Sequence, residues 1–153
     1  SASKVLFVAR ERSKGNNSSI KWINGDALET NLPSNEYDGL LMAYGLRNLS
    51  SSEAGLKEAF RLLKPGGKAG ILDFRSFQGF SIQGLFQKIY LILYVVPIAS
   101  VFGLGKEYSY IQKSLVNFPS GAEQVKLALS VGFEKAEYKI IAMGQMGILL
   151  LEA

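Results

Sequence analysis

Two short apolar runs flank one helical stripe, and this alternation constrains the fold more than any other feature. Residues 37–44 read YDGLLMAY and residues 68–74 read KAGILDF. A largely apolar run of that length is expected of a strand buried on both faces. Between them, Ser50, Ser51, Ser52 and Glu53 offer helix N-caps and an acidic first turn. Ala54, Leu56, Ala59, Phe60 and Leu63 then recur at helical spacing, and Lys64-Pro65-Gly66-Gly67 stops the helix. Strand, helix, strand in this order predicts an α/β fold with a mostly parallel sheet.

The flanking segments extend that pattern. Residues 4–12 predict a short amphipathic helix, residues 15–19 its exit loop, and residues 20–24 a short strand. After residue 74 the chain turns helical, over about 80–97 and 106–116. Pro119-Ser120-Gly121-Ala122-Glu123 starts another helix, which Gly132 caps. Residues 133–142 and 147–152 predict a C-terminal antiparallel hairpin, adding an antiparallel edge to the sheet. No internal repeat is visible. The 153 residues suit one domain.

Composition removes several chemistries. The chain has no Cys and no His. Disulfides, Cys-based zinc sites, thiol nucleophiles and imidazole mechanisms are excluded, and no metal site is expected. The net charge of +4 comes from scattered Lys and Arg, so no nucleic-acid track is expected. Residues 89–105 carry no charge and include Pro97 and two glycines. At 17 residues this stretch sits at the lower limit for a membrane span. It reads better as a buried helix or one touching a bilayer or an apolar ligand.

In open α/β sheets, ligands bind beyond the carboxyl ends of the strands. Three exits therefore matter. Asp26, in Gly25-Asp26-Ala27, could accept from an amino group or a ribose, or simply form a turn. Tyr44-Gly45-Leu46-Arg47-Asn48 gathers an aromatic, a glycine, a guanidinium and an amide. Arg47 could hold a developing anion or sit in a structural salt bridge. Asp73 could act as a base or cap the next helix. Neither Gly66-Gly67-Lys68-Ala69-Gly70 nor Gly103-Leu104-Gly105-Lys106-Glu107 has phosphate-loop form, and no GxGxxG opens a helix.

Together, Gly25-Asp26-Ala27, Tyr37-Asp38, Tyr44-Gly45-Leu46-Arg47-Asn48, Arg61-Leu62-Leu63-Lys64-Pro65-Gly66-Gly67 and Leu72-Asp73-Phe74 resemble the UbiE/COQ5/MenG family. These are S-adenosylmethionine-dependent C-methyltransferases of prenylated quinones. Lys106-Glu107-Tyr108-x-Tyr110 and Gly144-Gln145-Met146-Gly147 resemble its plant and cyanobacterial branch, which makes the last methyl transfer of phylloquinone synthesis. Other quinones of the family, menaquinone or ubiquinone precursors, are the alternative substrates. A non-catalytic quinone- or lipid-binding remnant is the alternative class. A nucleic-acid methyltransferase would carry Asn-Pro-Pro-Tyr at a strand end, which is missing.

The resemblance implies a class I methyltransferase (Rossmann-like) fold with strand order 3-2-1-4-5-7-6. On that pattern residues 1–153 are one partial, N-terminally truncated domain, with residues 76–120 a helical substrate cover inserted in it. The resemblance also implies roles. Asp26 and Ala27 would flank the adenine of S-adenosylmethionine. Ala43 would offer only its backbone there. Arg47 and Asn48 would be catalytic, near the quinone ring, and Tyr44, Tyr108 and Tyr110 would line the substrate pocket. The apolar stretch 89–104 would cover the phytyl tail. A prenylated quinone substrate, peripheral membrane contact and a chloroplast or cyanobacterial cytoplasmic location follow. The open edge of strand 37–44 leads to two further expectations. The chain forms a homodimer, and alone it binds the cofactor weakly or not at all.

Overall fold

In the computed structural model, residues 2–13, 19–76, 114–115 and 117–153 are described. Helix α1 (Ala2–Ser13) precedes strand β1 (Tyr37–Ala43), helix α2 (Ser52–Leu62) and strand β2 (Leu63–Phe74). Helix α3 (Gly121–Val131) leads into the hairpin of β3 (Lys135–Ile141) and β4 (Met146–Glu152). The sheet runs β1-β2-β4-β3, with β1 parallel to β2 and β4 antiparallel to both its neighbours. This matches the 4-5-7-6 half of the expected strand order. The last strand therefore lies inside the sheet, and β3 forms the edge.

The helix boundaries follow from local chemistry. The Ser51 hydroxyl accepts from Ala54 N–H, and Glu53 adds charge to the first turn. Ser120 and Glu123 form a reciprocal capping box at the start of α3. Leu63 turns extended and ends α2, one residue ahead of the Lys64-Pro65 pair.

The strand after α2 begins at Leu63 rather than at residue 68. Extended backbone continues through Lys64-Pro65-Gly66-Gly67, which loops out opposite Asp38, because the register jumps from Tyr37↔Leu63 to Gly39↔Lys68. Gly66 has φ +77, and a Cβ on Gly67 would approach Lys64 O at 2.8 Å, so both positions need glycine. Gly66 N–H donates to Ala153 O, and Ala153 N–H to Gly67 O. The turn is thereby tied to the chain's last residue.

Leu46, Leu56, Leu63, Ile71 and Leu149 are fully buried and define the core between α2, α3 and the sheet. Phe60 and Phe133 pack edge to face at 5.2 Å.

Two expectations need correction. Residues 20–24 form no strand, because no described strand pairs with them. Strand β1 is not buried on both faces. Leu40 and Met42 pack on the core, whereas Leu41 on the opposite face is 92% exposed. No described element covers that face. The helices expected near 80–97 and 106–116 fall almost wholly outside the described residues. So does most of the inserted unit 76–120. Its two ends meet: Ser76 Oγ donates to Leu115 O at 3.1 Å.

Candidate functional site

Parallel pairing brings the carboxyl ends of β1 and β2 side by side. Ala43, the last residue of β1, pairs with Leu72, so the segments after both strands emerge at one edge. Tyr44 N–H still donates to Leu72 O at 2.8 Å. The chain then breaks sharply. Tyr44 has φ 56, a left-handed conformation costly for a bulky side chain. A 3₁₀ turn, Leu46–Asn48, follows, anchored by buried Leu46.

That break is held by the side chains it presents. Arg47 Nη1 donates to Tyr44 O at 3.2 Å, and Asn48 Nδ2 donates to the same carbonyl at 2.8 Å. Arg47 Nη1 also bonds Asp73 Oδ1 at 2.5 Å. The Arg47 backbone N–H donates to Asp73 Oδ2, and Phe74 N–H to Oδ1. Both side chains of the pair are buried, 8% exposed for Arg47 and 5% for Asp73. Hydrogen bonds to charged groups are the strong ones in such a setting.

Aromatic faces frame the guanidinium. The Tyr44 and Phe74 rings lie 5.3 Å apart, and Arg47 Cζ sits 5.8 and 5.2 Å from their centroids. Tyr44 Oη donates to Met146 Sδ at 3.3 Å, bringing in the start of β4. On β3, burial pushes the Tyr138 phenol above its ordinary value, against the nearby Arg75 charge.

One donor in this cluster has no partner among the described residues: Arg47 Nε–H is buried and donates to none of them. A buried unpaired donor is costly, so it calls for a specific explanation such as strain, a catalytic role or an ordered water.

The structure thus brings together Ala43, Tyr44, Arg47 and Asn48. Asp26 and Ala27 lie in an exposed turn closed by Leu28 N–H to Asp26 Oδ1. This is the turn-forming behaviour open to Asp26 from the start. None of the described hydrogen bonds or ion pairs joins Asp26 to the Arg47 cluster. Tyr108 and Tyr110 lie outside the described residues. Sequence reasoning left Asp73 between base and cap, and missed Phe74 and Met146. Both stand inside the family motifs quoted from the sequence, which gave neither of them a role.

A second charged cluster lies away from the strand ends. Glu58 accepts from Thr30 N–H, Thr30 Oγ1, Arg61 Nε and Arg61 Nη2. Arg61 Nη1 donates to Ser34 Oγ. The Arg61 hydrogen bond, aided by those from Thr30 and opposed by burial, lowers the Glu58 carboxyl to about 2.

Comparison with known proteins follows the same lines. The sequence model described as the ubiE/COQ5 methyltransferase family matches residues 2–150. A protein of Synechocystis named 2-phytyl-1,4-naphtoquinone methyltransferase is 45% identical over 148 residues, covering 97% of this chain and 62% of its own. A chloroplastic protein of Arabidopsis thaliana, named 2-phytyl-1,4-beta-naphthoquinone methyltransferase, is 39% identical over 131 residues. There the match covers 86% of this chain and 50% of the relative. The chain thus spans about 62% of the first relative's length and about half of the second's. Among solved structures, a SAM dependent methyltransferase from Aquifex aeolicus superposes with TM-score 0.61 at 15% identity, over 96% of this chain and 62% of that one. The phosphoethanolamine N-methyltransferase 2 of Haemonchus contortus, in complex with S-adenosyl-L-methionine, gives TM-score 0.67 at 13% identity, over 95% and 40%. These two likenesses establish the Rossmann-like methyltransferase fold. With its family model matched almost end to end, the chain belongs to the ubiE/COQ5 methyltransferase family.

Proposed function

We propose that this chain is the quinol-side part of an S-adenosylmethionine-dependent C-methyltransferase. Its substrate is a prenylated naphthoquinol of the demethylphylloquinol type. The observation that carries the reading is the Arg47 guanidinium, held by Asp73 at the ends of two parallel strands beside the Tyr44 and Phe74 rings. The names of the cyanobacterial and chloroplastic relatives support the substrate class.

S-adenosylmethionine, when bound, supplies an electrophilic methyl group. Asp26 and Ala27, exposed in their turn, suit the amino group and ring of an adenine, and Ala43 offers backbone at the end of β1. The reaction forms a bond from the quinol ring carbon to the methyl and breaks the methyl–sulfur bond, its electron pair staying on sulfur. The ring carbon then sheds its proton. Negative charge builds on the phenolic oxygen before the new bond forms, as its proton passes to water; water likewise takes the proton later shed by the ring carbon. Arg47 stabilises that charge, since a fixed cation in a buried site acts without reorganising. Arg47 does not take the proton, because a guanidinium stays protonated in proteins and offers donors but no acceptor. Asn48 and Tyr44 set the geometry around it, and orientation supplies much of the rate.

Residues 76–120 act as the substrate cover, with Tyr108 and Tyr110 in the pocket. No helix among the described residues is long and apolar enough to cross a membrane. We assign peripheral contact with a chloroplast or cyanobacterial membrane from the substrate's prenyl tail. The open edge of β1 with exposed Leu41 supports homodimer formation by the isolated chain. Light scattering that finds only monomer would remove that part.

The test of function is methyl transfer by the full-length protein, with labelled S-adenosylmethionine and a prenylated naphthoquinol. Label in the quinol is expected. Its absence, with label taken up by a ubiquinone precursor instead, would move the assignment to that quinone.

A further inference from the structure

Arg47 can stabilise charge only if its guanidinium is fixed, and its own chain does not fix it. A long side chain at a strand end holds many rotamers, and ordering it costs up to about 2 kcal/mol. The groups that restrain it are therefore part of the site. Asp73 is the main one: it takes Nη1 at 2.5 Å and the Arg47 backbone N–H at 3.1 Å. The same carboxylate accepts from Phe74 N–H at 2.8 Å, which fixes it to its own strand end. With three protein donors and 5% side-chain exposure, Asp73 is poorly placed to accept a proton from substrate. Its geometry suits a different task.

We infer that Asp73 is a positioning residue: it holds the Arg47 guanidinium between the Tyr44 and Phe74 rings, leaving Nη2, which none of the described hydrogen bonds uses, for the phenolic oxygen of the quinol. The inference deepens the proposed function and rests on it. Each contact has a part. Asp73 occupies Nη1, so the guanidinium cannot swing to present that nitrogen. Tyr44 O takes the same nitrogen from the other strand end. The two rings confine the plane. What remains is the buried Nε–H and the two N–H groups of Nη2, and of these it is Nη2 that is not enclosed by protein.

The experiment uses the full-length protein and reads kcat, KM for the naphthoquinol and Kd for S-adenosylmethionine. Asp73→Asn is expected to lower kcat about 100-fold, the usual scale for disturbing an oxyanion-stabilising donor. KM and the cofactor Kd should stay within about threefold, as for an interaction made only in the transition state. Combined with Arg47→Lys, Asp73→Asn should cost less than about threefold further, because residues acting as a unit are not additive. Added guanidinium ion should restore part of the activity of Arg47→Ala when Asp73 is present and none when it is Asn. Should Arg47→Ala fail to fold, the Arg47→Lys comparison carries the test.

A merely structural Asp73 would give a different pattern. Asp73→Asn would then keep near-normal kcat wherever it is folded, or its loss would add fully to that of Arg47→Lys. Either result overturns the inference and leaves the methyltransferase reading standing. A wild-type protein that transfers no methyl to any quinol would overturn both.

Discussion

Two arginine–carboxylate pairs among the described residues are built to opposite ends. Glu58 and Arg61 sit three residues apart on α2. All three nitrogens of Arg61 donate, and Glu58 accepts four times. This cluster clamps the loop at Thr30 and Ser34 onto the helix. Arg47 and Asp73 lie 26 residues apart in sequence, on neighbouring strand ends. Their bonds do not close, since Nε–H is left over in a buried place. A closed network stabilises, whereas an open one is costly and persists where something else completes it. The contrast marks the second pair as the working one.

The largest effect that could break this contrast is on stability. Removing Arg47 would strand the Asp73 carboxylate in the interior. Breaking a buried pair from one side costs about 3–5 kcal/mol. Urea unfolding of Arg47→Ala is therefore expected to show a loss of that size. Arg47→Ala with Asp73→Asn should recover most of it, because no charge is then stranded. A loss below about 1 kcal/mol for the single variant would mean that water reaches Asp73, and that the pair is no more buried than Glu58–Arg61.

The Glu58 pair gives the next effect. Glu58→Gln keeps the shape but loses charge-assisted bonds, at about 1–3 kcal/mol near neutral pH. The pH dependence has a definite sign. The folded carboxyl is lowered from its ordinary 4.5 to about 2, chiefly by the Arg61 hydrogen bond. The unfolded chain therefore binds the proton first. The stabilisation is full above the ordinary value and is lost as pH falls from there through about 2. Urea midpoints of the two proteins should converge over that window. A gap that persists at the acid end would show that the bonds to Thr30 matter more than the charge.

How far the sequence foretold these features depends on the range of the forces involved. Ser51 and Ser120 announced their helices because capping is local, within three residues. The hairpin was legible because Gly144 and the two flanking apolar runs sit next to each other. The burial of β1 was not. Leu40, Leu41 and Met42 look alike in a row, and only the neighbours of the strand decide that Leu41 faces outward. Residues 20–24 failed for the same reason, since a strand exists only by pairing. In the site, Tyr44, Arg47 and Asn48 could be read from one pentapeptide. Their link to Asp73 could not, because it depends on the parallel register that pairs Ala43 with Leu72.

The smallest effect sharpens the comparison within the open pair. Asn48 is exposed, yet its amide donates to Tyr44 O at 2.8 Å. That carbonyl belongs to the left-handed residue on which the whole turn depends. Asn48→Ala removes one such bond, and Arg47 Nη1 still serves the same oxygen. The expected cost is about 0.5–1 kcal/mol, the lower half of the range for one hydrogen bond. Activity discriminates further. If Asn48 only supports the turn, kcat of Asn48→Ala should fall by less than about tenfold, and Tyr44→Gly, which accepts φ 56 freely, should lose activity through its missing ring instead. If Asn48 touches the quinol, its loss should exceed about 100-fold at unchanged stability, on the scale of a lost oxyanion donor. The first outcome leaves Arg47 as the sole charge-stabilising group, and makes every other polar contact in the cluster a means of holding it still.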